Sequence, residues 1–436
     1  MKLLKTLAII LGVLAGIAFL LPFVVPVKTY IPTLQKLASD QLQEPVAITD
    51  LKFALLPLPS ATVEGILIGK QQDVKIGAVT VRPDVLSLLS KVKVVRAVEV
   101  EGVTVDKALL DRLPKWTKSE PGPKTLVVRR VKVHNVNLAL DSFKWGPLRA
   151  EADLDGAGVR MVEAGTEDHR LTVNLTPHGE SYDLDIKGKH WPLPVKPAIE
   201  FDELSGKGTL TGNTLDLPKI DGKLYGGELH GTSHIDWKDG IRIKGAARTA
   251  GVEIGPIVRL MSQSASLSGK LHANGGYSLG AKNARQLADS LRASFKFEVK
   301  KGVLYNFDLA NAVRSLAREG TRGGQTSFNE LSGTVNLVGK NTQLRDVKVA
   351  SGLLKADGNV DIAASKKLSG TVRVEMAGTA SLISVPLDVS GTIQDPVLFP
   401  NRTALAGAAV GTGLMGPGFG TSVGAKAGEA LDKLFR

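Results

Sequence analysis

A histidine pair is the first feature of this chain that could do chemistry. His230 and His234 are four positions apart, a spacing that on a helix places two imidazoles on one face as ligands for a metal ion. The surrounding string, GGELHGTSHIDWKDG, is typical of turns and strands. Residues four apart in a strand are two full pleat repeats apart. The pattern therefore favours two solvated strand histidines, and we expect no metal site.

Two glycine-rich strings near the C-terminus match known motifs. Residues 411–416 spell the Gly-x-Gly-x-x-Gly pattern of dinucleotide-binding loops, and residues 420–424 spell the Gly-x-Ser-x-Gly pattern around a Ser422 nucleophile. Both patterns need a preceding strand to hold the turn, and neither has one here. Asp and Glu are numerous, but no spacing singles out an acid and base pair. We expect no catalytic residue, no cofactor and no enzyme activity.

Composition excludes further kinds of site. The 436 residues contain no Cys, which removes disulfides, thiolate metal sites and Cys nucleophiles. The formal net charge is +12, but the cations are interspersed with acids, whereas a nucleic-acid-binding protein concentrates them on one face or helix. A diffusely basic protein suits an anionic lipid surface. We therefore expect phospholipids as partners, and no nucleic acid.

The first residues predict a membrane anchor. Thr6 to Val27 are 22 consecutive uncharged residues, and about 20 apolar residues suffice for a helix to cross the ~30 Å hydrocarbon core. A cleaved signal peptide is the alternative, but its apolar core would be shorter and would end at a small-x-small site. The positive N-terminal stub favours Met1 in the cytoplasm. We expect a single N-terminal pass over 1–28, with the body across the membrane.

Beyond the anchor, the sequence predicts a mainly β protein with an elongated sheet of stacked meander repeats, a few short helices and a Gly-rich tail. Residues 29–45 carry a helical period and predict an amphipathic helix, packed on the first strands or lying on the membrane. From Val46 the period is two, punctuated by glycines. The predicted segments are an N-terminal β module 46–115, a linker 116–126, central β repeats 127–250, a β segment with helical insertions 251–320, C-terminal β repeats 321–400 and a Gly/Ala-rich tail 401–436. The insertions are expected around Pro256 to Met261, Ala284 to Ala293 and Leu309 to Arg318.

The chain repeats itself at an offset of 127 residues. FDELSG at Phe201 recurs as FNELSG at Phe328, and Leu217 matches Leu344. Repeated β units bury their apolar faces by stacking on their neighbours. The tripeptide Leu-Ser-Gly, expected near the start of strands, begins at Leu204, Leu267, Leu331 and Leu368.

The alternating strands predict a sheet with one apolar and one polar face. The apolar face is either an ordinary core or the floor of an open trough, where acyl chains would gain ~0.8 kcal/mol per CH₂ removed from water. Aromatics make up only 5% of the chain, which suits a surface that does not select among alkyl chains. The candidate groove residues are Val136, Leu138, Leu140, Leu184, Ile186, Ile241, Ile243, Phe295, Phe297, Val299, Val335, Leu337, Val372 and Val374.

Several strings in both halves of the chain carry a resemblance to a known family. The N-terminal ones are the anchor with the helix after it, LPLP at Leu56, and VRPDVLSLLSKVKVVRAVEVEGVTV at Val81. The C-terminal ones are GVEIGPIVRLM at Gly251, ASLSGKL at Ala265, the helix from Ala284, FEVKKGVLYNFDLANAVR at Phe297, FNELSG at Phe328, VPLDVSGTIQDPVLFPN at Val385 and the Gly-rich ending. In this order they resemble the AsmA-like proteins of Gram-negative bacteria. The stretch from Thr125 to Glu200 carries no string of the family.

The resemblance implies an inner-membrane protein whose periplasmic body is a curved β-sheet with a hydrophobic groove. Members are implicated in moving glycerophospholipids toward the outer membrane and in outer-membrane homeostasis, and they have no catalytic residues to carry over. We therefore expect a lipid-transfer protein, with an outer-membrane or periplasmic partner protein at the far end of the path. One alternative is a periplasmic scaffold or assembly factor for outer-membrane proteins, with a closed β core and no lipid cargo. Another is a surface-acting glycan hydrolase, against which the low aromatic content counts.

Overall fold

A computed structural model describes most of the chain. The described residues are 27–56, 58–71, 74–106, 109, 126–140, 143–155, 158–194, 198–261, 267–282, 284–315, 321–352, 354–377 and 382–401. The predicted anchor lies outside them up to residue 26, as do the predicted linker up to residue 125 and the predicted tail from residue 402. Within the part of the chain that the structure describes, no helix is both long and apolar enough to span a bilayer.

Strands dominate the described residues, as predicted. The 22 strands are β1 (Val46–Ala54), β2 (Ser60–Ile68), β3 (Val74–Pro83), β4 (Lys93–Val105), β5 (Leu126–Val128), β6 (Arg130–Leu140), β7 (Phe143–Leu154), β8 (Val159–Thr166), β9 (Leu171–His178), β10 (Ser181–Pro192), β11 (Glu200–Thr211), β12 (Thr214–Leu224), β13 (Gly227–Asp236), β14 (Ile241–Glu253), β15 (Lys270–Ala281), β16 (Arg292–Tyr305), β17 (Gln325–Val338), β18 (Asn341–Ser351), β19 (Leu354–Ile362), β20 (Leu368–Ala377), β21 (Leu382–Gly391) and β22 (Pro396–Pro400).

The helices are few and short, which also agrees with the prediction. The α-helices are α1 (Ile31–Leu42), α2 (Ile254–Met261), α3 (Ala284–Leu287) and α4 (Leu309–Ser315), and 3₁₀ turns cover Val27–Tyr30, Val85–Leu89 and Ala288–Ser290. The helix predicted from Ala284 to Ala293 is too long, because β16 already begins at Arg292. Ala293 pairs with Tyr277 and Leu337 in the sheet.

The chain forms two compact units, Met1–Lys187 and Gly188–Arg436. In the first unit, β1 to β4 form an antiparallel meander. β4 then pairs in parallel with both β5 and β6, a pairing that a hairpin cannot make. From β6 to β9 the antiparallel meander resumes.

Helix α1 packs on β1, in line with its predicted amphipathic face. Ala38 and Leu42 contact the buried cluster of the first unit, and the Ser39 hydroxyl accepts a hydrogen bond from the Val46 amide at 2.9 Å. Leu37 belongs to the same helical pattern of apolar residues but is 61% exposed. It points away because a stripe through residues 31, 34, 38 and 42 follows the 3.6-residue period more closely.

Positive-φ glycines let two strands of the first unit change the face they bury. Ile66 and Val63 are three residues apart, so a regular strand would place them on opposite faces, yet both contact the same buried cluster. Gly65 lies between them with φ 61°, a conformation that costs glycine nothing. In β4, Gly102 with φ 71° separates Val103 from Val100 in the same way.

The second unit is an open antiparallel meander. From β11 to β22 each strand pairs with the next one in sequence. Its buried cluster joins β16 to β22 with helix α4, which contributes Leu309, Ala312 and Val313. The Asp308 carboxylate caps this helix by accepting from the Asn311 amide at 2.8 Å.

The repeat predicted from sequence is a repeat of hydrogen-bond register. The pairing of β11, β12 and β13 matches that of β17, β18 and β19 at the offset of 127 residues, and each strand pair in both copies contains one register shift. The shift between Leu217 and Ile220 recurs between Leu344 and Val347. A bulge in the same place in two copies indicates a structural requirement rather than a local irregularity.

The Leu-Ser-Gly tripeptides do not all start strands. Leu368 begins β20 and Leu267 lies just before β15, but Leu204 and Leu331 lie inside β11 and β17. The tripeptide therefore marks a position in the repeat, not a strand boundary.

We predict that Leu387→Ala destabilises the last strands. Leu387 in β21 is fully buried and pairs with Val372 and Pro400, and deleting a packed leucine costs about 2–5 kcal/mol. Native-state hydrogen exchange on the full chain should show that loss in the opening free energy of β20 to β22 amides. Val338→Ala, at a position 46% exposed, is the control and should stay within about 0.5 kcal/mol. Equal effects of the two variants would contradict this account of the core.

Candidate functional site

The candidate site is the apolar face of the second unit, defined by rows of cross-strand partners. Directly opposed residues of an antiparallel pair share a face, so the register fixes which side chains belong together. One row passes through Val299, Leu331, Val349, Ala356, Val374 and Val385. A second row passes through Gly275, Phe295, Val335, Leu344 and Val360.

All nine predicted groove residues of the second unit lie on this one face. They come from four strands, β14, β16, β17 and β20, and the register joins them through direct partners such as Phe295 with Val335 and Val374 with Ala356. The nine are Ile241, Ile243, Phe295, Phe297, Val299, Val335, Leu337, Val372 and Val374. Strand pairing therefore brings these distant apolar positions onto one face, and a lipid groove there stays a prediction.

The other five candidates lie in the first unit. Val136 and Leu138 are half-buried on β6, and Leu184 and Ile186 lie on β10, with Leu184 buried. Val136 pairs with Leu148 and Leu138 with Trp145. Leu140 ends β6, and its side chain is outside the described residues.

One part of the apolar face is an ordinary core. Val299 and Val374 are fully buried, with relative exposures of 0%, and they belong to the cluster that contains α4. Phe297 and Val372 pack against the same cluster. Val299 and Val374 are therefore core residues, and Phe297 and Val372 lie half-buried at the edge of that core.

The remainder of the face is only half-buried. Ile241, Ile243, Phe295, Val335 and Leu337 are partly exposed and lie outside that cluster. On β16 the change occurs within four residues, from Val299 to Phe295, about 13 Å along a strand. A single face thus passes from a sealed core to a partly open apolar surface.

Four aromatic side chains of this face lie across glycines on neighbouring strands. Each ring approaches within 3.3 Å the point where a glycine Cβ would be, so the ring leans over the neighbouring backbone. The cross-strand pairs are Tyr277 with Gly245, Phe295 with Gly275, Phe297 with Gly333 and Phe328 with Gly302. An aromatic ring that lies flat over a glycine shields the neighbouring backbone from water and adds little height to the apolar face.

Sequence reasoning missed these aromatic–glycine pairs. The available signal is that Gly245 and Gly275 occupy apolar-phase positions of their strands, in step with Ile243 and Ala273. The pairing itself depends on register, which a single sequence does not reveal. The Tyr277 hydroxyl also donates to the Thr232 carbonyl at 3.3 Å, so the one polar atom of these rings has a partner.

The opposite face of the sheet is polar, and side chains on its neighbouring strands form hydrogen-bonded or ionic pairs. His230 and His234 lie on β13, and each contacts an aspartate of β12, Asp221 and Asp216 respectively. The histidines thus pair across strands, and no cluster of three metal-ligating side chains occurs in the part of the chain described here. The hydrogen bond from His230 holds the pKa of Asp221 below its ordinary value.

A second polar-face pair shows the same electrostatics. Glu203 and Lys223 are cross-strand partners with 2.8 Å between carboxylate and ammonium. Their hydrogen bond lowers the pKa of Glu203 and raises that of Lys223. Both side chains are more than half exposed, so screening by water leaves the pair a small contribution to stability.

A depression of about 990 Å³ in the second unit opens on the polar face. Two of its lining rows, one containing Thr232 and Gly276 and one containing Lys244 and Arg292, belong to that face, with the Tyr277 row between them. Tyr277, Ala293 and Leu337 of the middle row also line the depression. The depression therefore shares Leu337 with the predicted groove.

No protein-family model, no curated protein and no solved structure matches the chain.

We predict that two adjacent glycines of β15 differ in their tolerance of substitution. A Cβ on Gly275 would lie 2.0 Å from the Ser294 carbonyl and 2.8 Å from the Phe295 ring, and such overpacking costs about 1–3 kcal/mol. A Cβ on Gly276 would meet only the Gly245 carbonyl, at 3.4 Å. Urea unfolding of the full chain should show a lower midpoint for Gly275→Ala and an unchanged one for Gly276→Ala. Equal tolerance would show that the ring does not lie over Gly275.

Proposed function

We propose that this chain is a membrane-anchored periplasmic lipid-transfer protein of the AsmA-like kind, whose apolar face shields phospholipid acyl chains. The observation that carries the proposal is the single apolar face shared by nine residues of four strands. The predicted anchor at 6–27 would tether the body to the membrane that supplies the lipid. The order of family-like strings in both halves of the chain supports the same conclusion.

The free energy of binding an acyl chain suits the transfer of a lipid rather than its storage. About ten methylenes removed from water gain ~8 kcal/mol, enough for micromolar binding from water. A lipid in a bilayer has already made that gain, so its move onto an apolar face is close to neutral. The face would therefore lower the barrier of passage through water without trapping the lipid.

The half-buried end of the face is where we place the acyl chains. Phe295, Val335 and Leu337 lie on adjacent strands there, outside the cluster sealed by α4. Val299 and Val374 are fully buried, so they belong to the protein core and would not contact the lipid. This assignment narrows the predicted groove to five of its nine residues in this unit.

Photo-crosslinking tests the proposal with matched neighbours. A benzophenone amino acid at Phe295 or Leu337 should give phospholipid adducts in cells, since both positions lie on the apolar face. The same probe at Lys296 or Asn336, one residue along each strand and on the polar face, should give none. Adducts to protein alone at the apolar positions would favour the scaffold for outer-membrane proteins and overturn the lipid-transfer proposal.

A charge in the groove should block lipid binding. Ile243→Asp places a carboxylate among apolar neighbours, including its partners Ile235 and Leu279, and burying an unpaired charge is strongly unfavourable. We expect at least a tenfold loss of phospholipid co-purified with the full chain, measured by lipid mass spectrometry. Lys244→Asp, on the polar face, should retain the wild-type amount. The same loss in both variants would point to general damage and contradict binding on this face.

A further inference from the structure

One end of the first unit exposes an unusual amount of apolar surface. We call it the leucine tip, and it consists of Leu56, Leu58, Val85, Leu86, Leu89 and Val92. Leu89 is 94% exposed and Leu86 81% exposed, and the other four are between 42% and 58% exposed. Six of the 13 large exposed hydrophobic side chains in the described residues thus lie in two short loops. Concentrated exposure of this kind marks an interaction surface.

The strand register brings the two loops of the tip together. β2 and β3 pair from Ala61 with Val81 onward, so the loop before β2 and the loop after β3 lie at the same end of the sheet. Leu58 and Val85 line one cavity. The leucine tip is therefore one surface rather than two separate loops.

The tip is built so that its leucines point outward. Ser87, in the middle of the 3₁₀ turn, is only 8% exposed, and its hydroxyl donates to the Asp84 carbonyl at 2.7 Å and accepts from the Val94 amide at 2.8 Å. The polar residue is held inside while Leu86 and Leu89 on either side are exposed. Serine is usually exposed and leucine usually buried. Here the hydrogen bonds of Ser87 hold the reverse arrangement in place.

Cations surround the tip. A cavity of about 990 Å³ beside Val85 is lined by six Lys or Arg side chains and only two acidic ones. The cations are Arg82, Arg96, Arg129, Arg130, Lys132 and Arg160. Lys91 and Lys93 flank Val92 within the tip itself. Five of the six cavity cations also form ion pairs with carboxylates, and Arg129 is the sixth. Exposed leucines beside cations are the combination that favours an anionic membrane interface.

The chain enters the first unit from the same direction. Ser39 contacts Val46 at the start of β1, whereas Lys28 lies 3.6 Å from Asp50, nearer its end. Helix α1 therefore runs antiparallel to β1, and its first residues are directed toward the loop that contains Leu56. The 22 uncharged residues that precede Lys28 would thus meet a membrane on the side of the tip.

We propose that the leucine tip docks on the surface of an anionic phospholipid bilayer, with its leucines among the upper acyl chains and the surrounding cations at lipid phosphates. The contact would give the body a second attachment besides the predicted anchor and fix its orientation at the membrane. It does not depend on lipid in the groove, so the crosslinking result above can fail while this proposal holds.

Site-directed spin labelling of the full chain tests the proposal. The absence of native Cys allows single-label variants Leu86→Cys and Leu89→Cys, with Val338→Cys in the second unit as the aqueous reference. In proteoliposomes of phosphatidylcholine with phosphatidylglycerol, labels at 86 and 89 should be accessible to oxygen and shielded from a water-soluble nickel complex. The label at 338 should show the opposite pattern.

Disruption of the tip gives the second half of the test. Leu56→Asp in the Leu89→Cys background should lower the ratio of docked to undocked protein about tenfold, the effect of removing one leucine from the interface. Omitting phosphatidylglycerol or raising the salt should also lower it, since the attraction of cations is screened. Val338→Asp should have no effect.

Two results would overturn the proposal. Labels at 86 and 89 could remain as accessible to nickel as the label at 338 in anionic vesicles, in which case the tip stays in water. They could instead be shielded from both oxygen and nickel, in which case a protein partner or a second copy of the chain covers the tip.

Discussion

Cross-strand register is the constraint on which the second unit depends. A slip of one residue would move every apolar side chain of a strand to the other face, so the whole face exists only while each pair keeps its phase. Where the apolar spacing is odd, a bulge restores the phase. Leu344 and Val347 remain on one face because the register shifts between them, and Asp346 takes up the change with φ 51°.

The same constraint explains why the two copies of the 127-residue repeat are more alike in strand pairing than in amino-acid sequence. Leu217 and Ile220 carry the same shift as Leu344 and Val347, although most residues around them differ between the copies. Only the apolar phase and the position of the bulge must be kept for the strands to share a face with their neighbours. Residues on the polar face are free to vary, because either water or a cross-strand ion pair can satisfy their polar groups. Exchanging one for the other changes the stability of the fold little.

The protein uses apolar surface in three ways that differ in what covers it. Around Val299 and Val374 the face is sealed by α4 and is a conventional core. Around Phe295 and Leu337 it is half-buried, which suits the acyl chains of the proposed function. At Leu86 and Leu89 in the first unit it is almost fully exposed. The neighbouring charges distinguish the last surface from the second, because cations surround the tip, whereas the cross-strand partners of Phe295 and Leu337 are uncharged.

The sequence by itself determined the class of the fold, the alternation of faces, the short helices and the repeat, because these depend on local spacing of apolar residues and on turn formers. It also supplied the apolar positions of β14, β16, β17 and β20, which the strand pairing then placed on one face. Only the tertiary structure decided which of them are sealed, since Val299 and Phe295 have the same pattern, but only Val299 belongs to the buried cluster that includes α4. The aromatic–glycine pairs and the leucine tip were likewise decided by packing: they join residues from separate strands or loops, whose meeting depends on register and not on any property visible in one segment.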